Sequence, residues 1–168
     1  MKKLAIVRHA KSSWGDASLD DHDRPLNHRG LRVAPLMGDQ LAARIGRPDI
    51  ILSSTALRAR TTAGIIAGKL DFADADITDE GQIYLATSTR LLQVLRDIDE
   101  SHASAMIFGH VPGVHELTNA LCRKASIHHF PTCAAALVEL DIEHWGEIDP
   151  ATGSLVDFLV PKELLAEG

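Results

Sequence analysis

Arg8 and His9 follow directly on the apolar run Leu4-Ala5-Ile6-Val7. A short buried strand that stops at Arg-His aims a guanidinium and an imidazole at one spot, which is the arrangement a phosphate-transfer site needs. Two further fragments have the same form. Ile50-Ile51-Leu52 runs into Ser53, Ser54 and then Arg58, and Ala105-Met106-Ile107-Phe108 runs into Gly109 and His110. Three apolar runs thus each deliver an Arg or a His at the same end, and open α/β sheets hold their ligands at the carboxyl ends of their strands.

The elements that must position these residues can be read from the pattern. Leu4 to Val7 reads as a first strand, followed by a long polar loop to Asn27 that holds Trp14 and the acidic run Asp16, Asp20, Asp21 and Asp23. Loops of this length in compact domains are usually functional, and the acidic run itself reads as solvated. Asn27 is a suitable N-cap for a helix over 28–45, with Leu31, Ala34, Met37, Leu41 and Ile45 at helical spacing. Pro35 and Gly38 inside it predict a bend or a weak turn.

A second strand is expected over 49–52, and a helix over 56–70 that turns Leu57, Ile65, Ile66 and Leu70 toward the sheet and carries Arg58 in its first turn. The stretch 71–85 reads mostly as loop, 88–98 as a helix and 103–108 as a third core strand. Pro112 stands at a tolerable early position of the next helix. Two late strands, 134–140 and 155–160, are separated by turn signals, and 161–168 reads as a short helical turn and tail. Strands alternating with helices predict an α/β fold, a three-layer α/β/α domain with a mainly parallel sheet and an antiparallel element at one edge.

The chain has 168 residues, enough for a single domain over 1–168 with a substantial core. Hydrophobic residues at 45% and charged residues at 24% exclude global disorder. A net charge of −6 argues against a nucleic-acid surface while leaving room for a basic pocket. The apolar stretch before Arg8 is too short for a signal-peptide core, and no run approaches membrane-spanning length, so a cytoplasmic protein without a membrane partner is expected. Cys122 and Cys133 read as free thiols. His128, His129 and Cys133 have the atoms for zinc at a spacing that matches no familiar site, so no metal is expected. His22, His28, His102, His115 and His144 read as surface residues.

Arg8-His9-Ala10-Lys11-Ser12, together with the later Arg58 and His110, resembles the histidine phosphatase superfamily, of phosphoglycerate mutase-like fold. With Asp23-Arg24-Pro25-Leu26 and Arg29-Gly30 it is most similar to the short SixA-type phosphohistidine phosphatases. Ala10 stands where the wider superfamily usually has Gly. Gln82 stands just before Tyr84, in the region where larger members carry a catalytic Glu, which leaves the general acid unassigned.

The resemblance implies a cofactor- and metal-independent phosphatase. His9 would attack phosphorus and become phosphohistidine, Arg8 and Arg58 would clamp the transferring group, and His110 would donate to a phosphate oxygen as imidazolium. Arg24, Ser12 and Lys11 are further substrate-binding candidates. Guanidinium suits the clamp because its planar fork binds phosphate oxygens in pairs and keeps its charge. The implied partner is a phosphorylated protein such as a histidine-containing phosphotransfer domain, or else a small phosphorylated substrate. Two alternatives stay open: a small-molecule phosphomonoesterase using Glu80, Asp16 or Asp20 as its acid, and a non-catalytic phosphate-binding regulatory module. Retention of both His9 and His110 speaks against the last, since binding alone needs only cations.

Overall fold

The computed structural model describes residues 1–165. Six strands form one sheet: β1 (Lys2–Arg8), β2 (Ile50–Ser53), β3 (Thr78–Asp79), β4 (Ser104–Gly109), β5 (Ala135–Leu140) and β6 (Gly153–Leu159). Their order across the sheet is β3-β2-β4-β1-β5-β6. The pairs β1 with β4, β2 with β4 and β2 with β3 are parallel, whereas β5 runs antiparallel to both β1 and β6. The expected antiparallel edge is therefore the β5–β6 ribbon.

Helices α1 (His28–Arg44), α2 (Leu57–Lys69), α3 (Ser88–Arg96), α4 (Gly113–Leu121) and α5 (Pro161–Leu165) complete the chain, and the part of the expected tail beyond 165 lies outside the described residues. Alternation along β1 divides the core. Leu4 and Ile6 join Leu91, Leu95, Val114, Leu117 and Trp145 beneath α3 and α4, while Ala5 and Val7 join Met37, Leu41, Ala63 and Ile66 beneath α1 and α2. Helices thus cover both faces, giving the three layers expected.

Local chemistry sets the helix starts. The Asn27 side chain accepts from Gly30 N at 2.8 Å, and the Thr87 hydroxyl accepts from Arg90 N at 3.1 Å. Gly30 has a steric reason as well, because a Cβ there would run into the Lys11 carbonyl oxygen. The N-terminus of α1 therefore lies directly against the loop that follows β1.

Some expectations require correction. Leu57, expected to face the sheet, is 44% exposed, and Leu31 and Ile45, at the helical spacing of α1, are 49% and 39% exposed. The buried face of α1 runs through Val33, Ala34, Met37 and Leu41. Leu31 is two residues from its start and so points to the far side, and Ile45 is already the C-cap. Pro35 and Gly38 both lie inside α1, as expected. Gly38 allows close approach to α2, where a Cβ would meet Lys69 Cβ at 2.9 Å. β3 falls inside the stretch read as loop, because both its residues are polar and exposed and carry no apolar alternation.

Candidate active site

Arg8 ends β1, His9 follows it, Arg58 sits in the first turn of α2 after β2, and His110 follows β4. The parallel register brings Arg8 beside Gly109 and Ser53 beside Phe108, so the three strand ends open at one level. There they line a cavity of about 550 Å³, to which Arg24, Ser12 and Lys11 also contribute. All seven residues singled out in the sequence thus share one pocket. The loop after β1 doubles back to deliver Arg24: Ser12 bridges Leu26, and Ser13 N donates to Pro25 O at 2.8 Å.

His9 is 7% exposed, and its Nδ1 lies 2.6 Å from the Ala10 carbonyl oxygen. A carbonyl only accepts, so Nδ1 carries the proton and Nε2 keeps its lone pair. Among the described residues Nε2 has no hydrogen-bond partner. Burial, assisted by the charges of Arg58, Arg8 and Arg24, holds the imidazole down to about 4 against the opposing effect of the Ala10 carbonyl. The ring is therefore neutral at physiological pH.

His110 stands with its ring centroid 5.2 Å from that of His9, and its Nε2 is 2.8 Å from Ser54 Oγ. Burial first, then His9 and Arg58, hold it down to about 3. Its resting form is the neutral ring. Its Nδ1 is buried without a partner.

Arg8 donates from Nη1 to the Phe130 carbonyl oxygen at 2.8 Å, which anchors the guanidinium beside His9. Arg24 donates to Ser12 Oγ at 2.8 Å and lies over the Trp14 ring at 3.5 Å from its centroid. Such cation–π stacking holds a guanidinium in place without neutralising it.

Four contributors went unrecognised in the sequence. Asp21, one of four similar loop aspartates, is the acid that reaches the cavity. Its Oδ1 accepts from Arg24 Nε at 3.1 Å, and its Oδ2 accepts from Arg58 Nη2 at 3.0 Å and from the Tyr84 hydroxyl at 2.6 Å. The Tyr84 hydrogen bond and then Arg58 hold this carboxyl well below the usual carboxylate range. Tyr84 is the second, and it lines the cavity in place of Gln82, which is exposed and accepts from Arg90 at 3.1 Å.

His22 is the third, half-buried rather than on the surface. Its Nε2 is 2.8 Å from Thr55 Oγ1, and its ring meets Tyr84 edge-on at 4.8 Å. Thr62 is the fourth: fully buried, its hydroxyl accepts from Ala10 N at 3.0 Å and donates to Arg58 O at 2.7 Å. Of the acids proposed for an esterase, Glu80 caps its own turn by accepting from Gln82 N at 3.0 Å, and Asp16 binds Ser18 at 2.5 Å.

Cys122 and Cys133 are free and buried, and burial raises their thiols to about 11 and about 12. Among the described residues no group of three His, Cys, Asp or Glu side chains is placed to hold a metal, and no helix is long and apolar enough to cross a membrane.

Solved structures share this fold. A phosphoglycerate mutase from Bacillus anthracis superposes with a TM-score of 0.67 over 82% of this chain and 87% of its own, at 14% identity, which defines a phosphoglycerate mutase-like α/β fold. The chain belongs to the histidine phosphatase superfamily (branch 1), whose family model matches residues 4–80. Phosphohistidine phosphatase SixA of Escherichia coli (strain K12) is 31% identical over 147 residues, spanning 83% of this chain and 86% of that protein. An uncharacterised protein of Mycobacterium tuberculosis is 31% identical over 165 residues, 93% of this chain and all of that one. A crystal structure assigned to phosphohistidine phosphatase SixA from Agrobacterium tumefaciens has a TM-score of 0.79 at 31% identity, over 95% of this chain and 98% of its own. The protein is a phosphatase of this superfamily.

Proposed function

We propose that the protein hydrolyses phosphohistidine on a protein, through a covalent phosphohistidine at His9 and without a metal. The observation that carries this reading is the hydrogen bond from His9 Nδ1 to the Ala10 carbonyl, which leaves Nε2 with its lone pair in a cavity that Arg8, Arg24 and Arg58 also line. Nε2 attacks phosphorus and the substrate N–P bond breaks, its electron pair passing to the departing imidazole nitrogen. Water then attacks phospho-His9, releases inorganic phosphate and restores the imidazole. Charge on the three equatorial oxygens is met by Arg8, Arg58 and Arg24, with donation from His110.

The choice of leaving group follows from the acids present. Asp21 is the carboxyl group of the cavity, and its hydrogen bonds to Tyr84, Arg58 and Arg24 keep it ionised, so it has no proton to give an alkoxide. An imidazole leaving group is basic enough to take its proton from solvent, so a phosphoramidate bond can break where a phosphoester stalls.

The test compares a phosphohistidine protein with an alkyl phosphate monoester and quenches the reaction without acid. Turnover at least a hundredfold faster on the phosphohistidine protein is expected, with acid-labile label on the wild type and none on His9→Ala. Equal efficiency on the two substrates overturns the substrate class. Label persisting in His9→Ala removes His9 as nucleophile.

A further inference from the structure

A second cleft, of about 610 Å³, adjoins the phosphate pocket and shares Arg8, Lys11 and Thr132 with it. It lies between the loop after β1, the N-terminal turn of α1 and the start of α5. Arg29 and Lys162 add two more cations to Arg8 and Lys11, against one acid, Glu163. In a chain of net charge −6 this is a marked local excess of positive charge. Lys11, Arg29 and Lys162 are exposed and, among the described residues, none joins an ion pair, whereas Arg24, Arg44, Arg58, Arg60 and Arg96 each hold a carboxylate. Arg8 lines both spaces, so a charged group held in the cleft would lie beside the phosphate pocket.

We propose that this cleft is an anion subsite that takes an acidic side chain of the substrate protein, close in that chain to the phosphohistidine; this rests on the reading of the site given above. Openness favours a polypeptide over a metabolite. The pocket and the cleft adjoin and are both open to solvent, whereas small-molecule sites enclose most of their ligand's surface. Partly exposed ion pairs give modest affinity and a strong dependence on salt, the behaviour of a surface that selects among carriers.

The test uses two labelled peptides, each with a central phosphohistidine, one flanked by Glu and the other by Gln. Binding is read by fluorescence anisotropy in a His9→Ala background, which does not turn the peptides over, with and without Arg29→Glu/Lys162→Glu, and hydrolysis of free phosphoramidate is measured in parallel on proteins that keep His9. With Arg29 and Lys162 in place the Glu peptide should bind about tenfold tighter than the Gln peptide at low salt, with the preference fading as salt rises, as expected for two partly exposed pairs. The double variant should lose the preference and, with His9 intact, hydrolyse phosphoramidate at the wild-type rate. Equal binding of the two peptides, or a preference that survives in the double variant, overturns the subsite. Discrimination of a sugar bisphosphate but not of the peptides by Arg29 and Lys162 overturns the protein source. Because binding is read without turnover, the subsite is judged even if phosphoramidate is not hydrolysed, a result that would count against the proposed function instead.

Discussion

Thr62→Val should damage the protein twice over, because one hydroxyl links the turn that carries His9 to the helical turn that carries Arg58. Valine keeps the shape and removes both hydrogen bonds. The Arg58 carbonyl still faces the backbone N–H four residues on within α2, so its loss is small. The Ala10 N–H is different: Ala10 is 0% exposed, and its amide is left buried with no acceptor, at a cost of about 2 kcal/mol. For a domain of this size that is a drop in Tm of about 4–8 °C.

The same loss frees the His9 loop to drift from Arg58. A misplacement approaching 1 Å costs up to about a hundredfold in rate, so a fall in kcat of about tenfold is expected, with KM changed much less. Thr62→Ser restores the hydroxyl and should recover most of kcat, a rescue that simple loss of packing would not show. Thermal melts and steady-state kinetics on phosphoramidate measure both effects. A Thr62→Val protein within 0.5 kcal/mol of wild-type stability (about the error of such comparisons) and within about twofold in kcat would refute the linkage.

Two further outcomes follow from the charges in the pocket. The acid limb of kcat/KM should lie near pH 4 instead of near 6.5, since protonation of His9 at about 4 removes its lone pair. Stability should begin to fall earlier, from about pH 6.5 downward. The unfolded chain takes up protons from about 6.5 downward that buried His9 and His110 refuse until about 4 and about 3, so the urea midpoint should be lower at pH 5 than at pH 7. A rate that halves near pH 6.5 would show that His9 is not held neutral. Asp21→Asn removes a negative charge that faces Arg24 and Arg58, so inorganic phosphate should inhibit about three- to tenfold more tightly while kcat falls as Arg58 loses its alignment. An unchanged or weaker phosphate inhibition constant would mean that Asp21 does not compete with phosphate for these guanidiniums.

The central strands were legible because burial leaves a mark on composition. β1, β2 and β4 lie inside the sheet, so both faces demand apolar side chains and each strand reads as an unbroken run. β3 bears no such mark. Its residues Thr78 and Asp79 are exposed, and only backbone pairing with Leu52 and Ser53 makes them a strand. Helix faces were legible to within a turn: 3.6-residue spacing located α1 and α2, but spacing alone admits Leu31 and Leu57, whose exposure is fixed by how each helix is rolled on the sheet.

The site divides along the same line. Arg8, His9, Arg58 and His110 were visible because each stands a few residues beyond a buried run, and parallel strands carry their ends to one level. Asp21 was not, because Asp16, Asp20, Asp21 and Asp23 are equivalent in one dimension. What separates them is the reversal of the loop at Ser12–Leu26 and the 3-10 turn Asp21–Asp23, which set one carboxylate within reach of two arginines and a tyrosine from distant parts of the chain. The sequence did offer one signal, since Tyr84 is the chain's single tyrosine and stands two residues beyond Gln82, in the region where larger members of the superfamily carry a catalytic Glu. With Tyr84 in the cavity and Gln82 outside it, the loop supplies a hydroxyl that steadies an anion in place of a carboxylic acid. That exchange keeps Asp21 ionised, and an ionised Asp21 fits a substrate whose leaving group takes its proton from water.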